Sequence, residues 1–125
     1  MSFVLDSDLF IDFLRSYHPS KEWFDKLDWE QVYFSAISEG ELLSGQECIN
    51  DDARRKTLEL LQAATKVLVT NEIAQKAGEV RRNYGIPMMD AFIAATAIVQ
   101  NGILLTRNLK HYQHIHGLTV KKPYT

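Results

Sequence analysis

Short apolar runs alternate with segments of helical periodicity along the whole chain. Phe3-Val4-Leu5 is an unbroken apolar run, and Leu9, Phe10, Phe13 and Leu14 follow it at the spacing of one helix face. The same pattern predicts strands at residues 3–5, 32–34, 66–70, 103–105 and 118–120. It predicts helices at about 8–16, after a cap at Ser20, at 38–47, from a cap at Asn50 to 64, from a cap at Asn71 to 84, and from Pro87 to 100.

This alternation is typical of βαβ units, in which a parallel sheet lies between two layers of helices. Strands that are apolar without interruption are expected to be covered on both faces. The fold class is therefore α/β, as a three-layer α/β/α sandwich with a short parallel sheet of about five strands. No linker or repeat interrupts the pattern, so residues 1–125 are expected to form a single domain.

Composition and charge restrict the classes of function. With 46% hydrophobic and 24% charged residues the chain is globular, and 14 basic against 16 acidic residues exclude binding of nucleic acid by bulk charge. The single Cys48 excludes an internal disulfide and a thiolate metal site. The longest apolar stretch, Ala91–Val99, is about half of a bilayer span, so we expect a soluble, cytoplasmic protein without a membrane segment.

Oxygen-bearing side chains are placed where the predicted strands end. Asp6-Ser7-Asp8 follows the first strand, Glu41 lies in the helix after the second, Asp90 opens the helix after Pro87, and Thr106-Arg107-Asn108 follows the fourth strand. Ligands of such sheets bind at the carboxyl ends of the strands. Carboxylates gathered there repel one another, and an oxygen-only site selects a hard cation such as Mg²⁺ or Mn²⁺. The pattern therefore favours metal-assisted hydrolysis of a phosphodiester.

Each acid also has an ordinary structural interpretation. Asp6 or Asp8 could cap a helix, and Ser38-Glu39-Gly40-Glu41 fits a capping box in which Glu41 bonds back to the cap. Asp90 could complement a helix dipole. It is the convergence of four segments on one edge that favours a functional site.

At these same residues the sequence resembles PIN-domain ribonuclease toxins of the VapC type. The matching segments, in the order and spacing of that family, are V-L-D-S-D-L-F-I from Val4, F-S-A-I-S-E-G-E-L-L-S-G from Phe34, I-P-M-M-D-A-F-I-A-A-T-A from Ile86 and L-L-T-R-N-L-K-H-Y from Leu104. The resemblance implies a single PIN domain over residues 1–125 and an Mg²⁺- or Mn²⁺-dependent endoribonuclease that cleaves structured RNA, either tRNA or rRNA. It also implies a small antitoxin protein that wraps the toxin and blocks its site.

The family's functional residues carry over by motif. The resemblance implies a catalytic set of Asp6, Glu41, Asp90 and Asn108, of which the three acids bind the metal. We expect contacts with the substrate from Ser7, Thr106, Arg107 and Lys110. Asn108 departs from the family pattern, because many members carry a fourth acid there, and it could instead cap the short helix that follows it.

Two other functions are compatible with the same residues. Asp6-x-Asp8 with Thr106 also resembles a haloacid-dehalogenase-type phosphatase, although that family needs a distal acid and none follows Thr106. A non-catalytic PIN-fold binding module is the second alternative.

Partners are expected from the resemblance and from apolar side chains. A homodimer is predicted, with Ala91–Val99 as supporting evidence. The antitoxin is predicted to bury a segment between the first helices, against Phe10, Phe13, Trp23 and Phe24.

Overall fold

One parallel sheet of five strands forms the middle of the molecule, which the computed structural model describes over residues 1–125. The strands are β1 (Phe3–Leu5), β2 (Val32–Ser35), β3 (Thr65–Val67), β4 (Ile103–Leu105) and β5 (Thr119–Lys121), in the order β3-β2-β1-β4-β5. The predicted fold class is confirmed. The first strand is central, with β2 on one side and β4 on the other. Its carboxyl end therefore lies at the topological switch point of the sheet, where the strand order changes direction.

Seven helices and two 3₁₀ turns cover this sheet. The helices are α1 (Ser7–Leu14), α2 (His18–Asp25), α3 (Ala36–Leu43), α4 (Asp51–Gln62), α5 (Asn71–Tyr84), α6 (Met88–Val99) and α7 (Leu109–Tyr112), and the 3₁₀ turns are Trp29–Gln31 and Gln46–Ile49. None of the helices has the length and apolar character that crossing a bilayer requires.

Each face of the sheet has its own core, which accounts for the unbroken apolar strands. Val4 and Leu104 belong to the core formed with α5 and α6, whereas Leu5 and Leu105 belong to the core formed with α1, α2 and α4. Neighbouring residues of a strand point to opposite faces, so both must be apolar when both faces are covered. The middle strands are thereby fixed between two packed layers of helices.

The starts of three helices differ from the sequence prediction. The second helix begins at His18 with Pro19 in its first turn, and Ser20 is buried inside it instead of capping it. The third helix begins at Ala36, because the hydroxyl of Ser35 accepts the N–H of Ile37. Thr70, and not Asn71, caps α5. Ser35 and Thr70 thus cap α3 and α5 one or more residues before the predicted positions, and α2 has no capping side chain.

The ends of several elements also differ. The 38–47 helix ends at Leu43 and gives way to a 3₁₀ turn. The third strand ends at Val67, and Leu68 is 65% exposed. Gly85 ends α5 with φ +68°, because glycine adopts this left-handed conformation without strain.

Candidate active site

Asp6 links the central strand to its neighbour at the carboxyl edge of the sheet. Its carboxylate is buried, with the residue only 7% exposed. Oδ1 accepts the backbone N–H of Ser7 at 2.8 Å, and Oδ2 accepts the hydroxyl of Thr106 at 2.8 Å. Asp6 is therefore both the cap residue of α1 and a side chain held at the junction of β1 and β4. The capping role predicted as an alternative is real, and it does not exclude the functional one.

Two neighbouring carboxylates act on Asp6 at this edge. Burial, followed by the negative charge of Asp8, raises the pKa of Asp6 to about 7, and the charge of Asp90 adds to the effect. The hydrogen bonds from Thr106 and Ser7 oppose this rise in pKa. The negative charges of Asp8 and Asp90 thus both act on Asp6, as expected for acids that gather at one edge of the sheet.

Asp8 contacts the loop that follows β4. Its Oδ2 accepts the backbone N–H of Arg107 at 3.0 Å and lies 3.3 Å from the hydroxyl of Thr106. Its Oδ1 is buried and has no hydrogen-bond partner. Burial raises the pKa of Asp8, against the hydrogen bonds that it accepts. An unpaired carboxylate oxygen at the edge of the acid cluster leaves a free position for a cation or a water.

Glu41 reaches the cluster through Ser7. The hydroxyl of Ser7 lies 2.7 Å from Oε1 of Glu41 and 2.9 Å from the hydroxyl of Ser38. A capping box with Ser38 does not form, because α3 begins two residues earlier and Ser38 is buried within it. Glu39 points elsewhere, with its carboxylate 3.3 Å from the ammonium of Lys66. Of the two acids, Glu41 is the one placed at the site.

Asp90 lies in the first turn of α6, next to a histidine that the sequence reasoning did not place there. Nδ1 of His111 is 3.4 Å from Oδ2 of Asp90 and 2.9 Å from Nδ2 of Asn108. Asn108 makes no side-chain capping bond to α7, so the alternative role as a helix cap is not seen. Its backbone N–H instead donates to the hydroxyl of Thr106 at 3.0 Å. The spacing of three residues could have indicated the contact of His111 with Asn108, but not its contact with Asp90.

The oxygen donors fit an open cation site better than a closed cage. No three side chains among His, Cys, Asp and Glu are gathered into a preformed metal cluster. Mg²⁺, however, is commonly held by one or two carboxylates and keeps several waters. A cation would offset the repulsion that Asp8 and Asp90 exert on Asp6. Oδ1 of Asp8 is buried without a hydrogen-bond partner, and a positive charge nearby would also stabilise it. Asp6, Glu41 and Asp90 are the acids that would hold such an ion.

The sequence profile of the PIN domain matches residues 3–115. The chain belongs to the PIN-domain family. This membership replaces the haloacid-dehalogenase alternative.

Ribonucleases of the VapC type match this PIN domain over most of its length. Ribonuclease VapC10 of Mycobacterium tuberculosis is 31% identical over 127 residues, which cover 97% of this chain and 92% of that protein. Ribonuclease VapC19 of the same species is 30% identical over 116 residues, covering 87% of this chain and 90% of that protein. The resemblance to VapC-type proteins is confirmed by these matches.

Solved structures agree with this assignment. A toxin–antitoxin complex from Klebsiella pneumoniae contains a chain that is 26% identical, with a TM-score of 0.84 and 98% of both chains covered. VapBC2 from Rickettsia felis, bound to a DNA fragment from its promoter, matches with a TM-score of 0.84 at 20% identity and 98% coverage. At that identity the second match concerns the fold alone.

The two basic residues expected at the substrate differ in their surroundings. Nη1 of Arg107 donates to Asp12 at 2.8 Å, and its guanidinium lies 4.7 Å from the ring centroid of Tyr17 and 5.9 Å from that of Tyr124. Lys110 is exposed on α7. Arg107 therefore has a structural contact in this PIN domain, and a phosphate contact by either residue stays a prediction.

The apolar residues expected to bind partners lie largely in the interior. Ala91, Ile93, Ala94, Ala95 and Ala97 are fully buried in the core between α6, α5 and the sheet. Ala91–Val99 therefore offers little surface to a second copy, and that argument for a homodimer is wrong. A homodimer stays a prediction from the family resemblance.

The aromatic groove predicted for the antitoxin is likewise largely absent. Phe10 is 0% and Phe24 2% exposed, and their rings lie in the core with centroids 6.1 Å apart and planes tilted by 45°. Phe13 and Trp23 are only partly buried against the same core.

Proposed function

We propose that this PIN domain is an Mg²⁺- or Mn²⁺-dependent endoribonuclease, the toxin of a type II toxin–antitoxin pair, that cleaves structured RNA (tRNA or rRNA) in the cytoplasm. The observation that supports this most is the position of Asp6, Glu41 and Asp90, which come from three separate segments and face the carboxyl edge of the sheet. The names of the VapC relatives and of the solved complexes support the same activity and the same kind of partner.

The contacts of these residues suggest a separate role for each of them in the reaction. Asp6, Glu41 and Asp90 would hold the cation, which would supply an activated water and neutralise charge on the phosphate oxygens. Thr106 fixes the orientation of Asp6, and Ser7 fixes that of Glu41. In-line attack would leave a 3′-hydroxyl and a 5′-phosphate, as the family resemblance implies.

The test uses the purified chain, a mixed tRNA and rRNA substrate, and matched Asp→Asn variants. Asp6→Asn and Asp90→Asn each keep the side-chain shape but remove a charge, so we expect a loss of cleavage larger than the roughly 10–100-fold typical of an outer partner. Asp25→Asn, at the exposed end of α2, is the control and should cleave normally. EDTA should silence the wild type, and Mg²⁺ or Mn²⁺ should restore it.

Three outcomes contradict the proposal. Full activity in either site variant removes that acid from the site. Better restoration by Zn²⁺ than by Mg²⁺ or Mn²⁺ contradicts an oxygen-ligand site. Tight antitoxin binding without cleavage under any metal supports the non-catalytic module instead.

For the antitoxin we propose a cleft that opens beside Glu41. It has a volume of about 360 Å³, lies between α1, α3 and α4, and has Ile11, Leu14 and Leu42 among its lining residues. Charged side chains at the same cleft are Arg15, Glu47, Asp52 and Lys56. Because Glu41 also lines the cleft, a segment bound there would cover part of the site.

This docking position is tested with the purified antitoxin. Leu14→Arg should weaken binding measured by calorimetry, because it places a charge among the apolar lining residues. Leu68→Arg is the control, since Leu68 is 65% exposed and lies outside the cleft. Equal affinity of the two variants would place the antitoxin elsewhere.

A further inference from the structure

The charge of the chain is unevenly distributed, with an excess of positive charge after Thr106. That segment has four Lys or Arg residues and no Asp or Glu, whereas residues 1–106 have 10 basic against 16 acidic residues. Arg107 is one of the four and pairs with Asp12. The other three cations are exposed and take part in no ion pair of the protein; they are Lys110, Lys121 and Lys122, which we call the basic edge.

The basic edge lies at the same end of the sheet as the acids. Strand β5 runs parallel to β4, so Lys121, the last residue of β5, is at the carboxyl end of the sheet. The backbone carbonyl of Lys121 accepts the N–H of Thr106 at 3.0 Å, and the hydroxyl of Thr106 donates to Asp6. Two strand spacings of about 4.8 Å separate β5 from β1, so the backbone at Lys121 lies about 10 Å from that at Asp6. Lys110 belongs to α7, which packs against β5.

An RNA strand at the proposed site needs a positive surface of this kind. Asp6, Glu41 and Asp90 repel a phosphate backbone when they are ionised, and one divalent cation offsets only part of their charge. Cations outside the acid cluster therefore have to attract the nucleotides that flank the cleaved bond. A lysine acts on a phosphate as a point charge, and contacts with phosphates do not depend on the bases, so such a surface suits an RNA backbone of any sequence.

We propose that the basic edge binds the phosphate backbone of the RNA on the β5 side of the proposed cleavage site. This inference rests on the proposed function, because it takes RNA as the substrate. The cleft proposed for the antitoxin lies between α1, α3 and α4, and α4 packs against β3, the opposite edge strand. Lys121 and Lys122 thus contact RNA and have no part in holding the cation or the antitoxin.

The experiment compares two double variants that remove the same total charge. Lys121→Gln with Lys122→Gln removes most of the basic edge. Lys26→Gln with Arg54→Gln is the control, because these exposed cations at the end of α2 and on α4 also form no ion pair. Fluorescence anisotropy of a labelled RNA hairpin in EDTA measures binding without cleavage, over a series of salt concentrations.

The dependence of binding on salt counts the phosphate contacts. For the Lys121 and Lys122 variant at about 0.1 M salt we expect about tenfold weaker binding of the hairpin. The slope of log K against log salt should become shallower by about 0.7–0.9 for each lysine removed, because each contact with a phosphate releases bound counterions. The control should keep the slope of the wild type.

Measurements on the site itself separate RNA binding from structural damage. The variant keeps the backbone bond between Thr106 and Lys121, so its Mn²⁺ affinity, kcat and antitoxin affinity should stay at wild-type values while KM for RNA rises. Lys122 follows β5, so Lys122→Gln alone changes no residue of the sheet and should show about half of the change in slope.

Three results decide between the possibilities. An unchanged slope in the Lys121 and Lys122 variant, or an equal change in the control, overturns the inference and leaves the proposed function standing. Loss of antitoxin affinity with normal binding of RNA also overturns it, and assigns the basic edge to the antitoxin. A wild type that binds the hairpin through these lysines but cleaves no RNA with any metal contradicts the proposed function and not the RNA-binding surface.

Discussion

The hydroxyl of Ser7 lies 2.7 Å from Oε1 of Glu41 and joins the first turn of α1 to α3 across 34 positions of sequence. This contact brings the acid of the third helix to the acids that follow the central strand. Ser38 extends it, with its hydroxyl 2.9 Å from that of Ser7. Ser7 is therefore better described as the residue that orients Glu41 than as a substrate contact alone.

Replacing Ser7 with alanine should weaken the site without unfolding the protein. Ser7→Ala removes the hydrogen bond to Glu41, and we expect cleavage and Mn²⁺ affinity to fall by about tenfold, within the range for outer partners of metal ligands. Ser44→Ala is the control, because Ser44 donates to the backbone carbonyl of Glu41 and not to its carboxylate. A loss of equal size in both variants would show that the helix, and not the carboxylate, is what matters.

The stability of the metal-free protein should fall as the pH rises through the titration of Asp6. The pKa of Asp6 is raised from 3.8 to about 7. Between about pH 4 and pH 7 the folded protein keeps a proton on Asp6 that the unfolded chain releases. The free energy of unfolding therefore falls as the pH rises through this range. This loss of stability is absent below pH 4 and complete above pH 7. It amounts to at most about 4 kcal/mol.

Thermal unfolding in EDTA of the wild type and Asp6→Asn measures this effect. The variant lacks the titrating carboxylate. The Tm of Asp6→Asn relative to that of the wild type should therefore rise from pH 4 to pH 7. Mg²⁺ should raise the Tm of the wild type more at pH 8 than at pH 5, because protons compete with the cation for Asp6. A difference in Tm between wild type and variant that is independent of pH would contradict the raised pKa.

Asn108 should determine how tightly a second cation binds. An amide offers an oxygen but no charge, so Asn108→Asp should add a second Mn²⁺ with measurable affinity in the free protein. Calorimetric titration of Mn²⁺ checks the stoichiometry, with Asn101→Asp on the loop before β4 as a control of the same chemistry. Identical Mn²⁺ affinity and stoichiometry in wild type and Asn108→Asp would remove Asn108 from the ligand set.

Arg107 and Lys110 should separate stability from RNA binding. Arg107→Ala leaves the carboxylate of Asp12, which is 17% exposed, without its cation, and we expect a loss of about 1–2 kcal/mol in urea unfolding. Lys110→Ala should change stability by less than about 0.5 kcal/mol, since Lys110 is exposed. Both should weaken RNA binding if both contact phosphate. Unchanged stability of Arg107→Ala would show that its pair with Asp12 contributes nothing.

The sheet and its acidic edge follow from the sequence because they depend on local pattern and topology. Strands such as Phe3–Leu5 and Ile103–Leu105 are apolar throughout, so they can be recognised from the sequence as strands covered on both faces. In a parallel sheet, the residues that follow such strands lie at the same edge. Asp6 and Thr106 could be placed at this edge on these grounds.

Contacts between distant side chains could not be predicted in the same way. The position of His111 beside Asp90 depends on how α7 packs, and no local pattern encodes it. Ser20 matches the preferred composition of a helix cap, but tertiary packing buries it inside α2. Ala91–Val99 suggested an interface because sequence cannot distinguish an apolar helix that meets a partner from one that is enclosed by its own chain.

The bond between Thr106 and Asp6 connects residues 100 positions apart. The nascent chain emerges from the ribosome with Asp6 early and Thr106 late, and β4 cannot pair with β1 until both are outside. A chain interrupted anywhere before β4 therefore lacks the group that orients Asp6, and it lacks the neighbour that completes the sheet. The proposed site is thus complete only after β4 has been synthesised and has paired with β1, and a shorter nascent chain is not expected to cleave RNA.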